Sequence, residues 1–333
     1  MVMKKFINDP DNLTAELLEG FAAAHPDQVQ LVSGKIVARA KPKDESKVAI
    51  LTIGGAGHEP ALSGFVGEGM LDASIVGDIF AAPSAPKVIE ALRMLKRDAG
   101  ILFVVLNHAG DVMSGNMAME MAKEEGIRVE MILTHEDIAP GADAPIEDRR
   151  GLAGCIPLFK VAGAAAEAGK SLDEVVAIAE KINNNMATLA VALKTATHPQ
   201  SGDAIFELAD DEMEIGMGQH GEAGTGRSKL LSADETAVKM ATQLLPAANC
   251  AAGDKIMVMI NGAGATTLME QYIVFRAVKK YAESQGMSVV KALVGEYLTV
   301  QEMGGFQMFV AKLDDELVEL LQAPSDAPSW TTR

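Results

Sequence analysis

Ile101-Leu102-Phe103-Val104-Val105-Leu106-Asn107-His108-Ala109-Gly110-Asp111 is the stretch on which the fold turns. Its first six residues are apolar without alternation, so a strand here is covered on both faces. The run ends in a polar loop, and the pattern after it predicts a helix to Glu125. Strands that are apolar throughout and separated by helices form a parallel or mixed sheet between helical layers. The same grammar recurs outward in both directions. Val48 to Ile53 reads as a strand ending in Gly54-Gly55-Ala56-Gly57, Ser74 to Ile79 as another, with a helix from Ala85 to Lys96 and a strand from Arg128 to Leu133. Further on, Leu189 to Lys194, Ile256 to Ile260, Val289 to Val294 and Phe306 to Ala311 read as strands. Ser171 to Glu174 and Ser232 to Glu235 are capping boxes, the second opening a helix that stops at Pro246. Asn261 to Thr267 leads into a long helix, and Asp314 to Leu321 is the last. Near the start, Asp11 is expected to cap a helix with Leu13, Leu17, Leu18 and Phe21 on one face. The tail from Ala323 is expected to be loosely held, with Trp330 as its anchor.

The fold class that follows is α/β: two α/β domains with mixed sheets covered by helices, and a ligand site at the carboxyl ends of strands between the domains. A chain of 333 residues is long enough for two cores. The run Asn183-Asn184-Asn185 marks the expected boundary, with residues 1–185 holding the His58 and Asp111 loops and residues 186–333 the His220 loop. Apolar residues make up 48% of the chain and aromatics only 4%, which suits tight layering and gives no sign of disorder. A net charge of −17 excludes nucleic acid and anionic membrane surfaces as partners, because nothing would neutralise rows of phosphates. Cys155 and Cys250 have no metal-type spacing and read as inert thiols in a reducing compartment. The first ten residues lack a signal-peptide core, and no apolar run approaches the ~20 residues that span a bilayer. A cytoplasmic location is expected.

Three loops at apolar strand ends carry chemistry. Gly54 to Pro60 holds His58, Asn107 to Asp111 holds Asp111, and Gly216-Met217-Gly218-Gln219-His220-Gly221-Glu222-Ala223-Gly224-Thr225-Gly226 holds His220 after the short apolar run Met213 to Met217. Glycine lets backbone approach a ligand closely, and an uncharged imidazole can act as nucleophile or base. Structural readings stand beside these: His58 or Asp111 could each cap a helix. Gly216, Gly218 and Gly221 also fit a dinucleotide fingerprint, but no helix opens inside the loop. No Walker-type lysine follows a glycine run; a metal reading would join His108 and Asp111 with His58 or His220, against the absence of a helical H-E-x-x-H or a cysteine cluster. Arg149-Arg150-Gly151 could hold an anion or pair with Glu147 and Asp148. His25, His135 and His198 are expected to be solvated, as are Glu124-Glu125 and Asp210 to Glu212. Met113, Met117 and Met121, at helical spacing, are expected in the core.

With these motifs in view the chain resembles the K subunit of dihydroxyacetone kinase. The likeness rests on Lys4 to Asp9, Gly54 to Pro60, Gly67 to Leu71, Asn107 to Asp111, Arg149 to Gly151, Gly218 to Glu222, Gly295 to Thr299 and Lys312 to Glu316, in order along the chain. It implies that His220 forms a covalent hemiaminal with a ketone through Nε2. It also implies that His58 is the general base for the terminal hydroxyl, that Asp111 polarises that hydroxyl, and that Gly55, Ala56, Gly57 and Asn107 contact the substrate. It further implies a homodimer that binds no cofactor or metal of its own. A separate L subunit would carry ATP, or an ADP recharged by the sugar phosphotransferase system, with magnesium. Leu106 and His108 depart from the lysine and aromatic residue common in the family, which admits a four-carbon ketose such as erythrulose. Some relatives are ketose-sensing coactivators of transcription, the alternative to a kinase role.

Overall fold

A computed structural model describes residues 4–222, 224 and 226–333. Contacts group the chain into two units, one of residues 1–134, 155–181 and 319–333, the other of residues 135–154 and 182–318. They do not part at a single boundary after Asn185: the acidic segment from His135 crosses early into the second unit, and the chain end returns to the first.

The first unit begins with a short turn, Pro10–Asn12, and α1 (Leu13–Ala24). Asp9, not Asp11, supplies the capping carboxylate, accepting from the Asp11 amide at 3.0 Å. A hairpin of β1 (Val29–Val32) and β2 (Ile36–Arg39) follows. Then come β3 (Ala49–Ala56), β4 (Ala73–Ile79), α2 (Ala85–Met94), β5 (Ile101–Leu106), α3 (Ala109–Glu124), β6 (Val129–Thr134), α4 (Cys155–Glu167) and α5 (Leu172–Asn183). The sheet order is β1-β2-β4-β3-β5-β6, with β4, β3, β5 and β6 parallel. All six residues of β5 are buried, as an unalternating apolar run requires. Leu92 of α2 and Ala118 of α3 share one core cluster with Leu51, Ile53 and Phe103, while α4 lies against β3 and β5. Met113 and Met117 are 63% and 56% exposed, so the expectation that they fill the core is corrected. The buried face of α3 is built from Gly115, Ala118 and Ala122, small residues that bring the helix close to the sheet.

The second unit contains β7 (Met186–Lys194), β8 (Glu212–Ile215), β9 (Arg227–Lys229), α6 (Ala233–Ala247), β10 (Lys255–Gly262), α7 (Leu268–Ser284), β11 (Ser288–Gly295) and β12 (Gly304–Leu313). Its sheet order is β11-β10-β12-β7-β8-β9, parallel only between β10 and β11. Met240 and Leu244 of α6 and Val274 and Val278 of α7 close one core with Leu189, Val258 and Met308. Reciprocal capping boxes fix both helix starts, Ser232 with Glu235 and Thr267 with Glu270. After α8 (Asp315–Gln322) the tail is not loose. It forms a hairpin of β13 (Ser325–Ala327) and β14 (Trp330–Thr332), with Trp330 buried. Among the described residues no helix is long and apolar enough to cross a membrane.

Candidate functional site

The parallel core of the first unit runs β4-β3-β5-β6, so the chain steps from β3 to β4 on one side and crosses to β5 on the other. The direction reverses between β3 and β5. In open α/β sheets that switch point is where a crevice opens beyond the strand ends. Ala56, Gly57 and His58 lie at the end of β3, and Asn107 to Asp111 at the end of β5, so the topology places both loops at the reversal.

His58 does not cap a helix. It is 6% exposed and packs on Phe80, with ring centroids 5.0 Å apart at 42°. Phe80 is held there by donating its amide to the Ala56 carbonyl at 2.9 Å. Gly57 adopts φ +103° and donates to the Glu59 carboxylate at 2.9 Å, which closes the loop beneath His58. Burial pushes the Glu59 carboxyl above its ordinary range, against the pull of that amide. Asp111 is half-buried in the first turn of α3, and the N-cap position belongs to His108, whose side chain makes no capping bond. The Asn107 amide donates to the Thr134 carbonyl at 3.2 Å, tying the β5 loop to the end of β6.

The His220 loop belongs to the second unit and joins β8 to β9 as a long hairpin connection. Two residues of that loop, Ala223 and Thr225, lie outside the described residues. Glu222 clamps His220 twice: one carboxylate oxygen accepts the His220 amide at 2.9 Å and the other meets ring Nδ1 at 3.2 Å. Burial raises the Glu222 carboxyl, but the hydrogen bond and charge of His220 outweigh it and hold the group well below the usual carboxylate range. An ionised carboxylate only accepts, so Nδ1 must be the donor of that contact. In the neutral ring the lone pair then sits on Nε2.

Arg150 braces the same loop. Its guanidinium bonds the buried Asp137 carboxylate and the Gly216 carbonyl, at 2.7 and 2.8 Å, and stands 4.0 Å from Glu222. The carboxylate partners expected for the arginine pair, Glu147 and Asp148, are therefore corrected to Asp137 and Glu222 for Arg150. Arg149 donates to the Ala142 and Ala144 carbonyls. A Cβ on Gly218 would fall inside contact distance of both Glu222 and Arg150, so a side chain there would displace the ends of both. Burial raises the Asp137 carboxyl despite Arg150. Beside it, burial pushes the Glu136 carboxyl up to about 7, although one of its oxygens accepts from Leu152 and Gly154. Sequence reasoning did not single out Glu222, Asp137, Glu136 and Glu59, the carboxylates that hold these loops. Glu222 stood two places from the histidine, but Asp137 and Arg150 meet across a loop and left no local signal. His25, His135 and His198 are half-buried rather than solvated; the His25 ring lies tilted against Phe21 with centroids 5.1 Å apart.

Open parallel strands ending in loops that carry histidines and carboxylates define an α/β protein that binds and transforms a small polar molecule. The chain belongs to the Dak1 family, whose domain matches residues 19–329. A Listeria innocua relative, named the dihydroxyacetone-binding subunit of a PTS-dependent dihydroxyacetone kinase, is 40% identical over 98% of this chain and 100% of its own length. An L-erythrulose kinase of Pectobacterium atrosepticum is 36% identical over 98% of this chain and 56% of its own. Among solved structures, the dihydroxyacetone kinase operon co-activator Dha-DhaQ superposes with a TM-score of 0.90 at 32% identity, covering 96% of this chain and 98% of that one.

Proposed function

We propose that this chain is the ketose-binding subunit of a dihydroxyacetone-type kinase, capturing the ketone on His220 and presenting a terminal hydroxyl for phosphorylation. The observation that carries it is the ionised Glu222 on Nδ1, which leaves the ring's lone pair on Nε2. That pair forms the carbon–nitrogen bond, and the carbonyl π pair becomes an alkoxide that takes up a proton. The ring keeps its Nδ1 proton and becomes an imidazolium paired with the ionised Glu222 carboxylate, while the alkoxide takes its proton from solvent. Only a carbonyl compound can be held this way, which separates ketoses from polyols by bond formation. His58 serves as base for the terminal hydroxyl and Asp111 polarises it, while Gly55, Ala56, Gly57 and Asn107 line the ketose. In-line transfer then needs a positioned donor and a metal to offset charge. A partner L subunit supplies these as ATP, or as ADP recharged by a phosphotransferase-system protein, with magnesium. This chain itself holds neither, works in the cytoplasm and pairs as a homodimer.

The departure at Leu106 and His108, with the kinship to an erythrulose kinase, makes a four-carbon ketose a second candidate substrate. Intact-mass measurement with dihydroxyacetone and with erythrulose tests capture: a shift equal to the ketose is expected, and its loss in His220→Ala. A shift that survives that substitution refutes the covalent role. Capture without phosphorylated product, when an L subunit, nucleotide and magnesium are added, assigns the chain to the sensing role of the co-activator instead.

A further inference from the structure

A cavity of about 640 Å³ in the first unit opens between α1, the Glu59-Pro60-Ala61 segment and the terminal hairpin. Small-molecule sites commonly enclose ~300–1,000 Å³ with apolar walls and a few directed polar groups. Here Leu17, Phe21, Ala61 and Val76 give apolar walls. The charged side chains among the lining residues are both carboxylates, Glu16 and Glu59, and no lysine or arginine lines the cavity. Glu16 is held at the wall by the Asn8 amide at 2.8 Å, and Glu59 by the Gly57 amide. His25 also lines the space with its ring against Phe21, so two anchored acids face one imidazole and no lysine or arginine, and the apolar space selects a small body bearing a cationic head.

We propose that this cavity is a binding site for a small amphipathic amine, its ammonium directed at Glu59 and its apolar body against α1. Burial already raises the Glu59 carboxyl, so an incoming cation relieves a group the fold has desolvated. Binding here needs nothing from the His220 loop, so it is a separate event from ketose capture.

Benzylammonium and benzyl alcohol are the probes, titrated into the full chain without ketose and followed by calorimetry and by the amide resonance of Gly57. Benzylammonium should bind saturably, shift Gly57, and bind about tenfold more tightly than the alcohol, which corresponds to about 1.4 kcal/mol. Glu59→Gln should remove that preference. Gly20 lines the cavity and a Cβ there meets no atom within 4 Å, so a side chain starts in open space and Gly20→Trp serves to narrow the cavity. It should weaken benzylammonium about tenfold with the circular dichroism spectrum unchanged. His220→Ala should bind the probe as the parent does, which keeps this test apart from the fate of the ketose reading. Equal affinity for the two probes, no saturable shift at Gly57, or full-strength binding by a folded Gly20→Trp variant overturns the proposal.

Discussion

Replacing Arg150 with methionine removes the guanidinium that neutralises Asp137, whose side chain is 1% exposed. Burial already raises the Asp137 carboxyl with Arg150 in place, so desolvation exceeds the attraction of the pair. The pair is thus not a net stabiliser by itself, but breaking it from one side strands a buried charge, at about 3–5 kcal/mol. Urea-induced unfolding at pH 7.5 should show that loss in R150M. Adding Asp137→Asn should recover most of it, because the double variant buries no unpaired charge. The sign of the pH dependence follows from the raised carboxyl. The folded state keeps a proton that the unfolded state gives up, so stability is present at low pH and lost as pH rises through the raised value. Without Arg150 that carboxyl rises further, and the penalty of R150M should shrink as pH is lowered toward 5. A cost below about 1 kcal/mol, or the same cost in the D137N background, would refute the reasoning.

Four further outcomes follow from the same coordinates. Glu136 is buried with its carboxyl raised from 4.5 to about 7; it therefore withdraws up to about 3 kcal/mol as pH climbs between those values, so the stability advantage of Glu136→Gln, measured by urea unfolding, should grow from pH 5 to pH 8. Glu222→Gln removes an ionised acceptor from a ring nitrogen and should weaken ketose capture about tenfold or more, seen as a rise in the ketose concentration that half-saturates the mass shift. Gly218→Ala collides with the ends of two flexible side chains rather than with backbone, so capture should fall while the unfolding midpoint barely moves. Asp72 is 3% exposed and accepts from Lys43 at 2.7 Å and Arg39 at 3.2 Å; Arg39 keeps Glu167 at 2.7 Å, but Asp72→Ala takes the carboxylate from buried Lys43 and should cost about 3 kcal/mol in the same assay.

What the sequence disclosed depended on whether the cause was local. The β5 run was legible because a strand covered on both faces must be apolar at every position. The capping boxes at Ser171, Ser232 and Thr267 are three-residue chemistry, and the first two were read in advance. Met113 and Met117 misled because helical spacing alone does not say which stripe faces the sheet. That is decided by Gly115, Ala118 and Ala122, which permit close approach on the other side. The short hairpin strands β1, β2, β13 and β14 escaped because three- to four-residue patterns carry little periodicity.

The same divide runs through the candidate site. His58, Asp111 and His220 announced themselves as polar residues in glycine-rich loops at strand ends, and glycine there has a local cause. The groups that set the state of His220 did not. Glu222 acts only because burial and the ring compete for its proton, and Asp137 reaches the loop only through Arg150, thirteen residues further along the chain. A candidate histidine can thus be found from its loop, whereas the tautomer proposed for it depends on charged partners that only folding assembles. Ketose capture should accordingly weaken in Arg150 and Glu222 variants, although neither residue touches the carbonyl carbon. If R150M and E222Q captured ketose as tightly as the parent chain, the ring would owe its state to something other than this clamp.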